Sequence, residues 1–328
     1  MPWMMERVIP PIILLFLAPI ISQLLTAEIA PSEFFSPFGL TILPIIYGGS
    51  AILIRDAVKR WGKGWASLLA LGAAYGIIRE GLMLKSFFDP FTQGIDVLGY
   101  YGRWAGINWI WALDRTVYHA VISIGIPILM TEVIMPAGRK SVWLGKWPSI
   151  VLVIILVMNI AFGYFFGTDY EVGAIRYWLA AVVAGGLVLL AWRLPGEVKK
   201  LVAPMKPPVL FWLAGLLGTV IYMVIFWWLP NTSTPAVVTG VLGIALIASI
   251  TWLVMRLSRN AAEWDDRHRL ALATGPLVIF ILMTPIEELF RSRAGGTAGM
   301  MLVGLAALLL LAWLHFRAIK RTRKGENG

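Results

Sequence analysis

Pro148-Ser-Ile-Val-Leu-Val-Ile-Ile-Leu-Val-Met-Asn-Ile-Ala-Phe-Gly-Tyr-Phe-Phe166 runs for 19 residues without one charged side chain. About 20 apolar residues make a helix long enough to cross the roughly 30 Å of hydrocarbon in a bilayer. Lipid offers the backbone no hydrogen-bond partners, so such a run spans as a helix that satisfies its own amides. Nine further stretches of the same kind flank it. Together they occupy about 8–26, 39–55, 65–87, 105–135, 148–166, 174–194, 208–229, 235–257, 270–288 and 297–317. The expected fold class is therefore all-α: a polytopic transmembrane bundle of about ten spans. The fourth stretch is long enough to be tilted or to begin outside the membrane.

Composition agrees. The chain of 328 residues is 59% hydrophobic and 14% charged, against about half and a quarter for a soluble domain. Apolar segments run from Val8 to Phe316 with no long soluble stretch, so a single integral membrane domain is expected over 1–328, ending in a basic tail over 318–328. The first stretch reads as a span rather than a signal peptide, because its apolar run is long and no small-x-small cleavage site follows cleanly. No self-similarity between the two halves of the chain is visible. The chain has no cysteine, which excludes disulfides, thiolate metal sites and cysteine nucleophiles. Three histidines, His119, His268 and His315, leave few ways to build a histidine metal site, and no metal or cofactor is expected.

The net charge of +10 is distributed unevenly. With the N-terminus inside, 21 of the 28 Lys and Arg fall on inner segments and four on outer loops: Arg103, Arg176, Arg291 and Arg293. That asymmetry is a positive-inside signal, placing both termini in the cytoplasm and the chain in the plasma membrane. The basic loops and tail then face anionic lipid. No basic–aromatic platform accompanies the charge, so nucleic acid is not expected as a partner. The outer loops carry Glu28, Glu33, Asp89, Asp96, Asp169, Glu171, Glu287 and Glu288, and Phe34, Phe35, Trp104, Trp109, Tyr177 and Trp178 lie where an aromatic belt would.

Most spans are chemically bland. The third and fourth are not: they contain Arg79, Glu80, Lys85, Asn108, Asp114, Arg115, His119, Ser123 and Glu132. Ionisable groups at membrane depth are costly, face a bundle interior or water, and pair with one another. Because the two spans are antiparallel, the expected pairs are Arg79 with Asp114 and Glu80 with Arg115. Asn108, Arg115, His119 and Ser123 recur at intervals of 7, 4 and 4 residues and share a helical face. Gly72, Gly76 and Glu80 share another, where the glycines admit a neighbouring backbone.

Other motifs carry less. Glu287-Glu288-Leu-Phe-Arg291 is similar to the Glu-Glu-x-x-x-Arg signature of CPBP-type intramembrane proteases, but the arginine comes one residue early and no later span supplies the histidines. It is read, with Arg293, as an interfacial charged turn. Asp265-Asp266-Arg267-His268, following Glu263, is read as a solvated face. Asn231-Thr-Ser matches a glycosylation sequon on an outer loop. The runs Ala74-Tyr-Gly-Ile-Ile-Arg-Glu80-Gly, Gly106-Ile-Asn108-Trp and Thr116-Val-Tyr-His119-Ala resemble a group of uncharacterised prokaryotic multi-pass membrane proteins. Their order after Asp56-x-x-Lys59 also resembles the PrsW-like and CPBP-like intramembrane metalloprotease fold group. That second resemblance implies an inactive or repurposed relative, since the acidic pair and a second intramembrane histidine are missing. Zinc hydrolysis normally uses three protein ligands, which on paper are Glu80, Asp114 and His119, beside two repelling arginines.

Three functions are compatible with these residues. The first is a permease, or a protein binding a small molecule or ion, with an outward-facing polar pocket between spans three and four. There Glu80 and Asp114 handle cations or protons, Arg79 and Arg115 act as counter-charges or anion ligands, and His119 is a titratable relay beside Asn108 and Ser123. The second is an intramembrane hydrolase acting on lipid or peptide through Glu80 and His119. The third is a non-catalytic scaffold in which the charges fix packing. Substrate and oligomeric state are not legible. The absence of cysteine makes the topology directly testable. A single cysteine at Thr232→Cys is expected to react with an impermeant maleimide in intact cells, and one at Lys324→Cys only after permeabilisation; the opposite pattern would invert the orientation.

Overall fold

The computed structural model describes residues 4–92, 94–196, 206–258, 264–290 and 296–326. Lys199, Lys200, Arg259, Glu263, Arg291 and Arg293 lie outside the described residues. Ten helices among the described residues are long and apolar enough to cross a membrane. They are α1 (Met4–Leu25), α2 (Pro37–Arg60), α3 (Trp65–Met83), α4 (Trp109–Ile134), α5 (Lys146–Phe166), α6 (Ala174–Arg193), α7 (Pro208–Asn231), α8 (Ala236–Ser258), α9 (Asp266–Phe290) and α10 (Met300–Arg321). They coincide with the ten apolar stretches. The last helix continues to Glu326, so residues 318–326 of the expected basic tail are helical.

Burial separates the helices into two groups. The most apolar window of α4 is 83% buried, whereas that of α5 is only 6% buried. A helix that is apolar all round yet exposed in this way is adapted to lipid. α4 runs through the centre, packed against α1, α3 and α9; α5 and α6 flank α3, α7 packs on α9, and α8 touches α4 from outside. Gly72 and Gly76 are where the α3 backbone comes closest to α4. A Cβ on Gly72 would lie 2.9 Å from Ala120 Cα, and one on Gly76 would lie 3.1 Å from Thr116 Cα.

The bundle end where α1 begins and α10 finishes, called here the terminal face, is cross-tied by charge. Arg55 is fully buried, stacks 3.8 Å over the Trp143 ring, and donates to the carbonyls of Gly138, Arg139 and Ser141. Its neighbour Asp56 accepts the amides of Trp143 and Leu144 at 2.8–3.2 Å. The loop between α4 and α5 is therefore pinned to α2. The Asp265–His268 run is not the solvated face expected of it. Asp265 caps α9, its Oδ1 accepting from the His268 amide at 3.0 Å and contacting His268 Nδ1 at 2.6 Å, and Asp266 binds Arg139 and Arg321. Partial burial opposes charge on Asp265, yet the bonds from His268 hold its carboxyl below the usual range. The physical reason is that a helix start needs acceptors for its first amides.

The opposite end, the far face, carries a short antiparallel hairpin, β1 (Arg103–Trp104) with β2 (Ile107–Asn108), between α3 and α4. Phe35, Trp104, Trp109 and Trp178 are exposed there, as a belt requires, but Phe34 is buried in the hydrophobic core and does not belong to it. Lys85 lies beyond the end of α3, not within the span. Its backbone is left-handed (φ 58°), and its ammonium donates to the carbonyls of Thr168 and Tyr170 at 3.1 and 2.9 Å.

The α7–α9 crossing gives a direct stability test. A Cβ on Gly275 would meet the Trp212 carbonyl oxygen and sit 2.7 Å from Leu216 N. Backbone on both sides cannot give way as a flexible side chain does, so Gly275→Ala is expected to destabilise by about 1–3 kcal/mol. Thermal unfolding in detergent measures it; an unchanged midpoint would contradict the packing.

Candidate functional site

The α3–α4 crossing holds two polar sets with different characters. The first is centred on Asp114 and Arg115. Arg115 Nε donates to its sequence neighbour Asp114 at 2.7 Å and Nη1 donates to Glu28 at 2.9 Å. Tyr222 donates its hydroxyl to the other oxygen of Asp114. The guanidinium is also enclosed by the rings of Trp111 and Tyr118, 4.4 and 4.5 Å from their centroids. Asp114 is fully buried and Arg115 nearly so. Every charge in this set has a partner in the chain.

The second set is centred on Glu80 and His119. His119 Nε2 lies 3.0 Å from Glu80 Oε1, and Nδ1 lies 2.9 Å from Ser123 Oγ. Ser86 donates to Glu80 Oε2 at 2.6 Å, and Trp111 Nε1 donates to Ser86 Oγ at 3.0 Å. The result is a continuous chain of hydrogen bonds, Trp111–Ser86–Glu80–His119–Ser123, across both helices. Three tyrosine rings surround the imidazole: Tyr47 stacks on it at 6.3 Å, while Tyr75 and Tyr118 meet it edge-on at 5.5 and 5.3 Å.

Both helices change geometry here. α3 widens into a π-helical stretch over Ile78–Met83, and α4 does so over His119–Gly125. Such wide turns loosen the regular hydrogen-bond ladder and are common at functional sites. Beside Glu80 lies Arg79. It donates to the Tyr47 hydroxyl at 3.1 Å, its Nε is buried without a hydrogen-bond partner, and among the described residues no carboxylate lies within ion-pair distance of it.

The expected pairings are therefore corrected. Glu80 pairs with His119, not Arg115, and Asp114 pairs with Arg115, not Arg79. Helical periodicity places residues on their own helix but not the rotation of its neighbour, and Asp114 reaches the adjacent Arg115 because both side chains turn along the helix surface. Of the four residues on the shared face, only His119 and Ser123 are joined by a side-chain hydrogen bond among the described residues. Asn108 is the cap of α4, accepting the Trp111 amide at 3.0 Å and donating to the Leu98 carbonyl. Glu132 sits at the terminal face, near Arg55, Lys59 and Arg269. Glu80, Asp114 and His119 do not converge as three ligands, and among the described residues no trio of His, Asp or Glu is placed to hold a metal.

Sequence reading overlooked Tyr47, Tyr75, Tyr118, Tyr222, Ser86 and Trp111 as site residues, and placed Glu28 in an outer loop without a link to Arg115. One signal was available: a tyrosine at membrane depth needs a partner for its hydroxyl, and Tyr47, Tyr75 and Tyr118 all lie inside spans that were marked as apolar.

A model of an uncharacterised membrane protein family matches residues 12–324, and the chain belongs to that family. No curated protein and no solved structure matches it. The PrsW-like and CPBP-like resemblance gains nothing from these comparisons. What the site does must be argued from its own geometry.

The first set behaves as a packing lattice and makes a quantitative prediction. Arg115→Met strands the buried Asp114 carboxylate and is expected to cost about 3–5 kcal/mol. The double change Asp114→Leu with Arg115→Met removes both charges and is expected to recover much of that loss. Chemical denaturation of the three proteins reads the difference. A double variant at least as unstable as the single one would contradict the assignment.

Proposed function

We propose that this protein is a proton-linked permease, or a binding protein for a small anion, whose working element is the Glu80–His119 pair. The single observation that carries the reading is the hydrogen-bonded pair of a carboxylate and an imidazole inside a span, beside an arginine with no carboxylate at ion-pair distance among the described residues. Glu80 and His119 can exchange one proton between Oε1 and Nε2, with Ser86 and Ser123 adjusting at the two ends of the chain. Histidine is suited to that task near neutral pH. Arg79 supplies an uncommitted cation where an anionic group can be neutralised.

The groups facing the imidazole are Glu80 and Tyr75 from α3, Tyr47 from α2, and Tyr118 and Ser123 from α4. All are buried, with Glu80 7% and His119 2% exposed. The conformation described is thus occluded, and access requires α3 and α4 to separate at their π-helical turns. In the same proposal the terminal face lies in the cytoplasm of a plasma membrane, as the charge asymmetry favours, and the site opens outward.

A second reading is favoured by one specific feature. The Ser123–His119–Glu80 chain contains the residue types of a hydrolase triad, which would make the protein an intramembrane hydrolase. Against it, Ser123 is fully buried with no neighbouring oxyanion donors described. Labelling by a fluorophosphonate that is lost in Ser123→Ala would establish this reading and displace the first.

The permease reading is tested by thermal unfolding of purified protein against a panel of small carboxylates, sulfate and inorganic phosphate, at about pH 5.5 and about pH 7.5. A solute at about 100 times its Kd is expected to add about 2.7 kcal/mol to the wild type, and much less to Arg79→Gln and Glu80→Gln. The reading fails if no anion stabilises the wild type, or if the gain persists in Arg79→Gln.

A further inference from the structure

The terminal face contains a pocket lined by Arg55, Val58, Lys59, Lys63, Gly64, Trp65, Leu68 and Glu132. Three of these side chains are cationic and one is acidic. Lys59 is committed only to a long 3.7 Å contact with Glu132 and remains 27% exposed. Lys63 donates to the Leu194 carbonyl, which uses one of its three ammonium hydrogens. Arg55 is fully buried: its two Nη atoms donate to Asp56 at 3.0 Å and to the carbonyls of Gly138, Arg139 and Ser141, and only its Nε, 3.5 Å from Glu132, has no hydrogen-bond partner.

The backbone adds donors. α3 starts at Trp65, its preceding residue Gly64 offers no side-chain cap, and the first intrahelical bond runs from the Leu68 amide to Gly64. The amides of Trp65, Ala66 and Ser67 consequently have no partner among the described residues. A helix start with free amides favours an anion, and here it meets a cavity, two lysines and the unpartnered Nε of the buried Arg55.

From this arrangement the geometry points to a binding site for a phosphate-bearing anion in the α2–α3 turn. Lys59 and Lys63 neutralise the phosphate, the α3 amides donate to its oxygens, and Glu132 holds Lys59 in place until the anion arrives. The chemistry is shared by an anionic phospholipid headgroup and by free phosphate. The headgroup is the source the position favours: the site lies at the helix ends, beside the half-buried ring of Trp65 and the exposed side chain of Leu69, where acyl chains meet headgroups. This site is separate from the Glu80–His119 pair and does not depend on what that pair does.

Native mass spectrometry of the full chain, delipidated and then exposed to phosphatidylglycerol, phosphatidylcholine or inorganic phosphate, tests it. The expected result is one retained phosphatidylglycerol on the wild type, with about tenfold weaker retention in Lys59→Gln with Lys63→Gln, and no matching loss for Lys320→Gln. Phosphatidylcholine is expected not to be retained. Stabilisation by phosphate alone that both lysine changes abolish, without a lipid adduct, would support the site with the free anion as its occupant. Lys59→Gln alone, which leaves the Lys63–Leu194 contact intact, is expected to show an intermediate loss and guards against misfolding of the double variant. Equal retention of phosphatidylglycerol by wild type and both lysine variants, with no phosphate effect, would overturn the proposal.

Discussion

A polar group stranded in hydrocarbon cannot be rescued by water, so every charge inside this bundle must find its partner within the chain. That constraint organises the α3–α4 crossing. Asp114, Arg115, Glu28 and Tyr222 meet it by closing on one another. Breaking one member leaves the rest exposed to the full desolvation cost, which explains how four polar residues can hold helices together without contributing much net stability as a set. Glu80 and His119 meet the same constraint differently. Their bond is satisfied in either protonation arrangement, because the carboxylate accepts from an imidazole N–H and the protonated carboxyl group donates to a bare imidazole nitrogen. Arg79 meets it least, donating to one tyrosine hydroxyl with no carboxylate at ion-pair distance among the described residues.

How much of this could be read in advance follows from where each kind of information lies. Spans are local, since length and apolarity of a single stretch decide them, and the ten helices were legible for that reason. The concentration of charge in the third and fourth spans was equally local. Partners are not. Tyr47 belongs to a span that looked bland, and it reaches His119 only because α1, α2 and α4 pack with a rotation that no helical period encodes. Lys85 and Asn108 were counted into spans because apolar neighbours hid the ends of the helices. Their roles, bridging a loop and capping a helix, depend on the chain turning there.

The bundle is also unlike at its two ends. At the terminal face, Arg55, Asp56, Glu132, Arg139, Asp266 and Arg321 tie α2, α4, α9 and α10 into one lattice. Around Glu80 and His119 both α3 and α4 carry π-helical turns, as α1, α2 and α7 also do in places, and Arg79 there has no carboxylate at ion-pair distance among the described residues. The family assignment sets the membrane context of this argument and leaves its chemistry to the residues themselves.

Whether the imidazole of His119 actually exchanges its proton is the centre of the account. Nitrogen NMR of protein labelled only at its three histidines reads this directly, with His119 assigned by its loss in His119→Gln. The account predicts that His119 changes protonation state between about pH 5 and about pH 8, and that Arg79→Gln shifts this transition. A His119 resonance that stays fixed across the range in both proteins would contradict it, and would leave the pair as a structural bond.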